Sequence, residues 1–253
     1  MRVTVLGCGG SMGVPMVGGI WGTCDPGNPR NRRRRPSILV ESDSTTILID
    51  TSPDLREQLL DHEVTRVDAL LYTHAHADHI HGIDDLRPLA FKQPIDAYMD
   101  AAVRQELEER FGYIMTSVEM DRGFYHPFLV PHLLDGPFRV GDIDVVPFEQ
   151  DHGRVVSMGF RFGSFAYSTD VVRLDDRAWA ALEGVEAWMV DATRPEPHVS
   201  HAHLDLTLDW IERLKPKRAW LTHMNHQMDY DSLCARLPDH VRPAHDGLVI
   251  EVL

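Results

Sequence analysis

One six-residue stretch constrains the fold of this 253-residue chain more than any other feature. Residues 74–79 read His-Ala-His-Ala-Asp-His and directly follow an apolar, strand-like segment, Val67 to Tyr72. Imidazole and carboxylate are ligands that zinc and manganese accept. Two histidines separated by one residue at a strand end can face one ion, whereas Asp78 and His79 face elsewhere if a helix begins there. The stretch therefore predicts a buried strand whose end carries ligands for two neighbouring metal ions.

Three residues that lie far apart in the sequence extend this set of candidate ligands. His152, Asp170 and His223 each follow a short apolar run, and functional loop residues commonly occupy such positions on a rigid scaffold. Each alone is an ordinary polar loop residue, but together with residues 74–79 they complete a set for two metals. Asp50 ends another apolar run, and we expect it to accept a hydrogen bond from a ligand histidine and so fix its tautomer.

The order of these residues resembles that of the metallo-β-lactamase-fold hydrolases. The resemblance implies a first metal held by His74, His76 and His152, a second held by Asp78, His79 and His223, and Asp170 as the bridge. It implies an α/β fold, a four-layer αββα sandwich that residues 1–253 build as one domain. It also implies two divalent metal ions, Zn or Mn, as cofactors, and the sequence does not separate these metals.

Three further segments narrow the resemblance. The glycine-rich residues 7–15 resemble the loop of the phosphodiesterase branch, which includes the tRNA 3′-processing endonucleases, and glycines let backbone amides approach an anion closely. Residues 21–24, residues 222–229 and the position of His203 are similar to the phosphoribosyl 1,2-cyclic phosphate phosphodiesterases of the carbon–phosphorus lyase pathway. The resemblance therefore implies hydrolysis of a small cyclic or nucleotide-like ribose phosphodiester.

The reaction expected of such a site is attack on phosphorus by a hydroxide that two metals activate. His203 is the candidate general acid for the leaving oxygen, and His201 is held in reserve. Asp78 is a second candidate for handling a proton, although a metal ligand is a poor base.

An arginine-rich loop contrasts with the acidic composition of the chain. The formal net charge of −14 disfavours extended nucleic-acid binding, yet residues 30–35 contain five arginines. Because the planar guanidinium suits phosphate, we expect one or two of these arginines to hold a substrate phosphate, without knowing which. Ser11, Arg35 and His226 are the candidate substrate contacts.

A third, structural metal is a separate question. Relatives of the cyclic phosphodiesterase type hold a zinc with several cysteines after the Trp-Gly pair and with a histidine that matches His226. Here Cys24, beside Asp25, is the one cysteine of that segment, since Cys8 and Cys234 lie elsewhere. We therefore expect no structural metal near Cys24 and His226, and the alternative that these two residues bind one with Asp25 and water stays open.

Other features bear on the setting of the protein. There is no apolar run long enough for a bilayer, the chain enters a strand at once without a signal peptide, and three scattered cysteines form no disulfide framework. These features favour a cytoplasmic protein that acts on a small-molecule phosphodiester without a membrane. The oligomeric state is left open, with a homodimer as one arrangement.

Three alternative functions stay open. A tRNA 3′-processing endonuclease would carry a basic, glycine- and proline-rich arm, and the middle of this chain shows none. A thioester or lactam hydrolase on the same fold is disfavoured by the N-terminal loop. A non-catalytic metal-binding accessory protein is disfavoured by the complete set of seven ligands.

The hydrophobic pattern predicts alternating strands and helices. The predicted strands are residues 3–6, 37–41, 46–50, 67–72, 143–148, 157–162, 165–168, 187–190, 218–221 and 249–252. The predicted helices are residues 54–62, 83–91, 100–111, 175–182 and 205–214. Residues 112–137 are predicted to be irregular, with aromatic side chains that include Phe124, Tyr125 and His126.

Overall fold

The computed structural model describes residues 1–116 and 127–252. Within them, the strands are β1 (Arg2–Gly7), β2 (Ser37–Glu41), β3 (Thr46–Ile49), β4 (Ala69–Leu71), β5 (Ile95–Met99), β6 (Leu129–Leu133), β7 (Phe138–Val140), β8 (Ile143–His152), β9 (Val155–Phe162), β10 (Phe165–Ser168), β11 (Ala187–Asp191), β12 (Arg218–Thr222), β13 (Val241–Pro243) and β14 (Val249–Glu251). The α-helices are α1 (Leu55–Asp61), α2 (Ala77–Ile80), α3 (Ala101–Phe111), α4 (Asp176–Leu182), α5 (Leu204–Leu214) and α6 (Tyr230–Cys234). Three short 3₁₀ helices span Pro29–Asn31, Ile83–Ala90 and Gly112–Ile114.

The strands form two seven-stranded sheets of matching design. The first sheet has the order β14-β1-β2-β3-β4-β5-β6, and the second has the order β13-β12-β11-β10-β9-β8-β7. In each sheet one part is antiparallel and the other part is parallel: β3 to β6 run parallel in the first sheet, and β10 to β13 run parallel in the second. Both sheets are therefore mixed.

Alternating side chains on the central strands separate two hydrophobic cores. Ile38 and Val40 of β2 pack toward the second sheet, while Leu39 between them packs into the core that contains α1 and α3. The strands β3 and β4 show the same alternation. Because a strand points successive side chains to opposite faces, this pattern puts one core between the sheets and another under the outer helices. The result is the predicted α/β fold, a four-layer αββα sandwich.

Most predicted elements form with small shifts at their ends, and the differences have identifiable causes. Residues 83–91 form a 3₁₀ helix rather than an α-helix, because Pro88 lies inside it and lacks the N–H that an α-helix requires. The strand predicted at residues 46–50 ends at Ile49, since Asp50 has a positive φ of 61°. Asp100 and Asp175 begin α3 and α4 by accepting hydrogen bonds from the backbone N–H groups of residues three positions on.

Several elements were not predicted. The strands β6 and β13 contain Pro131 and Pro243, and both lie at sheet edges, where a missing N–H removes no ladder bond. The prediction that residues 112–137 are irregular is wrong at β6 and at the short helix Gly112–Ile114. Phe124, Tyr125 and His126 lie outside the described residues. No helix in the described parts of the chain is both long and apolar enough to cross a bilayer.

Candidate metal centre

Most candidate ligands lie at the carboxyl ends of parallel strands, and His152 lies at the end of the antiparallel strand β8. Asp50 follows β3, His74 follows β4, Asp170 follows β10 and His223 follows β12. Ligand sites of open α/β sheets commonly occupy this edge, because parallel strands end there together. The helix α2 begins at Ala77, so the chain turns between His76 and Asp78, as the spacing of residues 74–79 predicts.

Three of the residues at this edge have a backbone conformation that is rare for residues with a side chain. Asp50, Asp170 and His223 have φ values of 61°, 54° and 57°. Left-handed backbone costs about 1–3 kcal/mol per residue outside glycine, and it concentrates at functional sites. Each of these residues directs its side chain out of a strand end and into one buried cluster.

The first group of side chains consists of His74, His76, His152 and Asp170, which could hold a metal ion. His74 Nε2 lies 2.9 Å from His76 Nδ1, and His152 Nε2 lies 3.3 Å from the same atom. The His152 Nδ1 donates to the backbone oxygen of Ser200 at 2.7 Å, so its Nε2 presents a lone pair to the cluster. Ring nitrogens that converge in this way need a cation or a proton between them.

The second group consists of Asp78, His79 and His223. Asp78 Oδ2 lies 3.5 Å from His79 Nε2 and 3.4 Å from His223 Nε2. All three side chains are buried, with at most 7% of each residue exposed. A cluster this dry excludes water from charged groups, which strengthens their interaction with any cation that binds.

The Asp170 carboxylate lies between the two groups. Its Oδ1 is 3.8 Å from His74 Nε2, 3.6 Å from His152 Nε2 and 3.3 Å from His223 Nε2. Its Oδ2 is 3.1 Å from His79 Nε2. One carboxylate therefore faces both sets of ring nitrogens, which is the arrangement that the bridging role requires.

The protonation states of most cluster residues suit metal binding. Burial lowers the pKa of His74, His76 and His152, so these rings are neutral at pH 7. Burial opposes ionisation of Asp170, but the surrounding histidines outweigh it and hold the pKa of this carboxyl well below its usual range. The pKa of Asp78 is also low, because His79 and His223 outweigh burial. Neutral imidazole and ionised carboxylate are the forms that coordinate metals.

His79 differs in its protonation. Burial lowers its pKa, but Asp170, Asp78 and Asp50 outweigh burial and raise that pKa well above the usual value. A bound metal would therefore displace its proton.

Asp50 lies behind His79, as the sequence predicts. Its Oδ2 is 2.7 Å from His79 Nδ1, and its two oxygens accept hydrogen bonds from the backbone N–H and the hydroxyl of Thr73 at 2.8 and 2.7 Å. The carboxylate keeps the proton of His79 on Nδ1 and aims Nε2 at the cluster. This buried Nε2 faces Asp170 Oδ2 at 3.1 Å but forms no well-aligned hydrogen bond. An orphaned nitrogen among acidic side chains fits a metal ion.

His201 also belongs to this cluster, whereas His203 does not. His201 Nδ1 lies 2.9 Å from Asp191 Oδ2, and its ring packs against His152 and His223 with centroids 4.6 and 4.7 Å away. Burial lowers the pKa of His201, but Asp191 outweighs it and raises that pKa to about 9. The His203 ring, at the start of α5, makes no hydrogen bond, ion pair or ring contact with any described residue.

Two openings flank the cluster. A cavity of about 330 Å³ is lined by His201, His223 and Arg194 together with the glycine-rich loop, residues 10–13. Ser11 and His226, two predicted substrate contacts, line this cavity. A wider groove of about 780 Å³ opens at His74 and His76 on the other side.

The arginines of residues 30–35 do not line this cavity, and each contacts another part of the protein. Arg35, a predicted substrate contact, forms an ion pair with Asp54 at 3.1 Å. Arg34 pairs with Asp61, and Arg30 and Arg32 lie over the rings of Tyr230 and Trp21. The fifth, Arg33, is 2% exposed and donates to the backbone oxygen of Met228 at 2.7 Å. The loop therefore braces the fold around the site.

Arg33 also explains the surroundings of Cys24. Its Nη1 lies 4.0 Å from Cys24 Sγ and donates to the backbone oxygen of Asn225 at 3.4 Å. No group of metal-holding side chains that includes Cys24 or His226 occurs among the described residues. A guanidinium cation beside Cys24 ties the loop before Arg33 to the loop that carries His226.

Asp191 and Arg194 are absent from the site residues that the sequence predicts, and the sequence favours His203 over His201. Asp191 was recognisable from the sequence, because it is the last residue of an apolar strand. Asp50 follows its own apolar strand in a similar way. His201 and His203 are two positions apart in one histidine-rich turn, so spacing could not separate them. Nothing in the sequence marked Arg194.

Comparisons with known proteins agree with this geometry. The family model of the beta-lactamase superfamily domain matches residues 45–224. A solved structure of a new diphosphatase from the PhnP family is 35% identical, with a TM-score of 0.90, over 100% of this chain and 98% of that one.

Two curated relatives are each 30% identical. Octanoyltransferase of Porphyromonas gingivalis matches over 98% of this chain and 51% of its own length. Exodeoxyribonuclease WalJ of Streptococcus pneumoniae matches over 50% of this chain and 44% of its own length. The chain therefore spans about half the length of the curated relatives it matches.

The family match covers most of the chain, and the similar solved structure covers all of it at 35% identity. Together with the αββα fold and the clustered histidines and aspartates, these findings agree with the resemblance drawn from residues 74–79. The chain belongs to the beta-lactamase superfamily, hydrolases of the metallo-β-lactamase fold, and within it to the PhnP branch.

Proposed function

We propose that this protein is a metal-dependent phosphodiesterase that hydrolyses a small cyclic or nucleotide-like ribose phosphodiester. The observation that carries the proposal is the position of the Asp170 carboxylate. Its oxygens face ring nitrogens of both groups of candidate ligands. A carboxylate between two sets of ligands is what a pair of divalent ions requires.

The first ion would be held by His74, His76 and His152, the second by Asp78, His79 and His223, and Asp170 would contact both. Either zinc or manganese suits this set of donors. When bound, such ions lower the pKa of water toward neutrality and offset negative charge on phosphate oxygens.

The protein's own residues supply proton transfer and positioning. His201 replaces His203 as our candidate general acid, because its ring lies in the cluster and Asp191 raises its pKa to about 9. A histidine that is protonated at pH 7 can donate a proton to the leaving ribose oxygen. Asp78 is ionised among histidines, so we propose that it binds metal and does not transfer protons.

Two of the three relatives support chemistry at phosphorus, whereas the name octanoyltransferase does not, and this chain covers only half of that protein. Diphosphatase and exodeoxyribonuclease both denote enzymes that break bonds to phosphate. The formal net charge of −14 favours a small diester over a nucleic-acid polymer. We propose a small-molecule partner, and the cytoplasmic location and the homodimer stay predictions.

A substrate panel tests the proposal. Protein reconstituted with zinc or manganese is offered phosphoribosyl 1,2-cyclic phosphate, 2′,3′-cyclic nucleotides, a single-stranded DNA oligonucleotide, a tRNA precursor and a thioester. We expect turnover of a cyclic or nucleotide-like ribose diester that exceeds turnover of the polymers. Preferred hydrolysis of the thioester, or no hydrolysis by fully metallated protein, would contradict the proposal.

A leaving-group series tests the acid. Removing a general acid slows diesters with poor leaving groups by about 100- to 10,000-fold, and it affects p-nitrophenyl esters far less, because p-nitrophenolate leaves without a proton. We expect His201→Ala to show this contrast. His203→Ala is the matched control and should stay within about threefold of wild type on both. Equal losses in both variants would refute the assignment.

A further inference from the structure

Arg194 lies beside the cluster, and its guanidinium has no hydrogen-bond or ion-pair partner among the described residues. It lies three positions after the end of β11 and lines the 330 Å³ cavity together with His201 and His223. The Nε atom of Arg194 is buried and unpaired, and its side chain forms no hydrogen bond or ion pair with the described residues.

This isolation contrasts with the arginines of the loop at residues 30–35. Arg33, Arg34 and Arg35 each donate to a backbone oxygen or a carboxylate of the protein. In the described part of the chain, Arg194 supplies the one cationic arginine on the cavity wall. The phosphate-binding role that the sequence suggested for residues 30–35 therefore has a better candidate in Arg194.

Leaving the buried Nε of Arg194 without a partner is unfavourable. Arginine stays charged at every physiological pH, and this buried donor has no hydrogen bond in the protein to replace its lost hydration. An anionic ligand would offset that cost, since charge-assisted bonds from guanidinium to phosphate or carboxylate are strong and can be bidentate. The chemistry of the ligand is therefore that of an oxyanion.

The position of the cavity ties this ligand to the reaction. His201 and His223 belong to both the cavity wall and the cluster, so a molecule in the cavity is continuous with the site of cleavage. The glycine-rich loop also lines the cavity, and its residues Gly10, Ser11 and Gly13 are small, which leaves room for a polar group. A volume of about 330 Å³ fits one arm of a substrate.

We propose that Arg194 is a specificity-determining residue that binds a second anionic group of the substrate, distinct from the phosphodiester that is cleaved. That this ligand is a substrate rests on the proposed function. Binding of an anion by Arg194 does not depend on turnover. The enzyme then prefers diesters that place a negatively charged group in the cavity over otherwise identical diesters without that group.

Binding of inorganic phosphate to the metal-free protein tests the site without catalysis. Titration calorimetry should give a dissociation constant that weakens by about 10- to 100-fold in Arg194→Met, the loss expected for a charged hydrogen-bonded contact. Arg194→Lys keeps the charge without the planar fork, so it should fall between the two. Arg177→Met removes the same charge from an exposed position on α4 and should bind phosphate like wild type. Equal phosphate binding by wild type and Arg194→Met would overturn the proposal.

Turnover of a matched pair of substrates tests specificity. A 2′,3′-cyclic nucleotide is compared with the same compound carrying a 5′-phosphate. Arg194→Met should raise KM for the 5′-phosphorylated compound by about 10- to 100-fold at little change in kcat, and it should leave the other compound within about threefold.

Equal losses on both compounds would show that Arg194 serves the cleaved diester or the fold, and the proposal would be wrong. If wild type cleaves neither compound, the proposed function fails while phosphate binding still decides the role of Arg194. If Arg194→Met does not fold, Arg194→Lys and Arg194→Gln carry the same two measurements.

Discussion

Replacing Asp50 by asparagine would change the coordinating atom of His79 while leaving the backbone in place. Asparagine tolerates the positive φ of 61° at this position better than most residues, so the substitution adds little strain. The change is therefore confined to the two oxygens that contact Thr73 and His79.

Neither orientation of the new amide satisfies its neighbours. If the amide oxygen faces the Thr73 N–H, its NH₂ group faces His79 Nδ1, which must then accept a hydrogen bond. The proton of His79 moves to Nε2, the atom that faces Asp170 at 3.1 Å, and that atom can no longer bind a metal. If the amide is flipped, two donors meet at Thr73.

The expected loss follows from the supporting role of Asp50. Removing the partner of a ligand histidine lowers metal affinity by roughly 10- to 100-fold, or about 1.4–2.7 kcal/mol. Burial raises the pKa of Asp50, so a neutral side chain relieves part of the cost of burying a charge. We therefore expect the free energy of unfolding to change by no more than about 3 kcal/mol.

Competition with a chromophoric chelator measures the two affinities separately. We expect Asp50→Asn to weaken one metal site and to leave the site of His74, His76 and His152 within about threefold. Asp68→Asn is the matched control, because Asp68 also accepts a backbone N–H, from Thr46 at 2.7 Å, and lies outside the cluster. Wild-type affinity at both sites of Asp50→Asn would refute the reasoning.

Three further predictions concern other residues. In the metal-free protein, Asp191→Asn should lower the pKa of His201 from about 9, which NMR titration of the ring measures, and an unchanged pKa would exclude Asp191 as its cause. Burial raises the pKa of Asp246 to about 7, so the neutral form stabilises the fold and wild type should lose stability as pH rises from 4 to 7. The free energy of unfolding of Asp246→Asn in urea should not fall over this pH range. Parallel pH profiles of the wild type and the variant would contradict this role of Asp246. Gly22→Ala should destabilise the protein by about 1–3 kcal/mol in thermal unfolding, because Gly22 has a φ of 59° and its new methyl group meets the ring and backbone oxygen of His226; an unchanged melting temperature would argue against it.

The fold was predictable because its signals are local. Residues 74–79 identified the superfamily. The strand with Ile38, Leu39 and Val40 is apolar on both faces because each face packs into a core, and such an apolar run is recognisable in the sequence. The predicted α/β sandwich is confirmed. Strands with weak local patterns, such as β6 and β13 with their prolines, form because neighbouring strands pair with them, and sequence patterns do not contain that information.

The site was predictable in part. The structure brings together the seven predicted ligands and places Asp50 beside His79. Their metal-binding roles stay predictions. The choice between His201 and His203 depends on which ring faces Asp191, and this orientation arises only when β11 and the turn before α5 meet. The sequence could not show that Arg35 is paired and Arg194 is unpaired, because the ion pair of Arg35 with Asp54 is a tertiary contact.

Elemental analysis of metal-loaded protein tests most directly whether the seven side chains hold two divalent ions. We predict two equivalents of metal per chain in wild type and one each in His76→Ala and His223→Ala, because each variant removes a ligand from a different group. One equivalent or none in wild type, or two equivalents in both variants, would contradict the account.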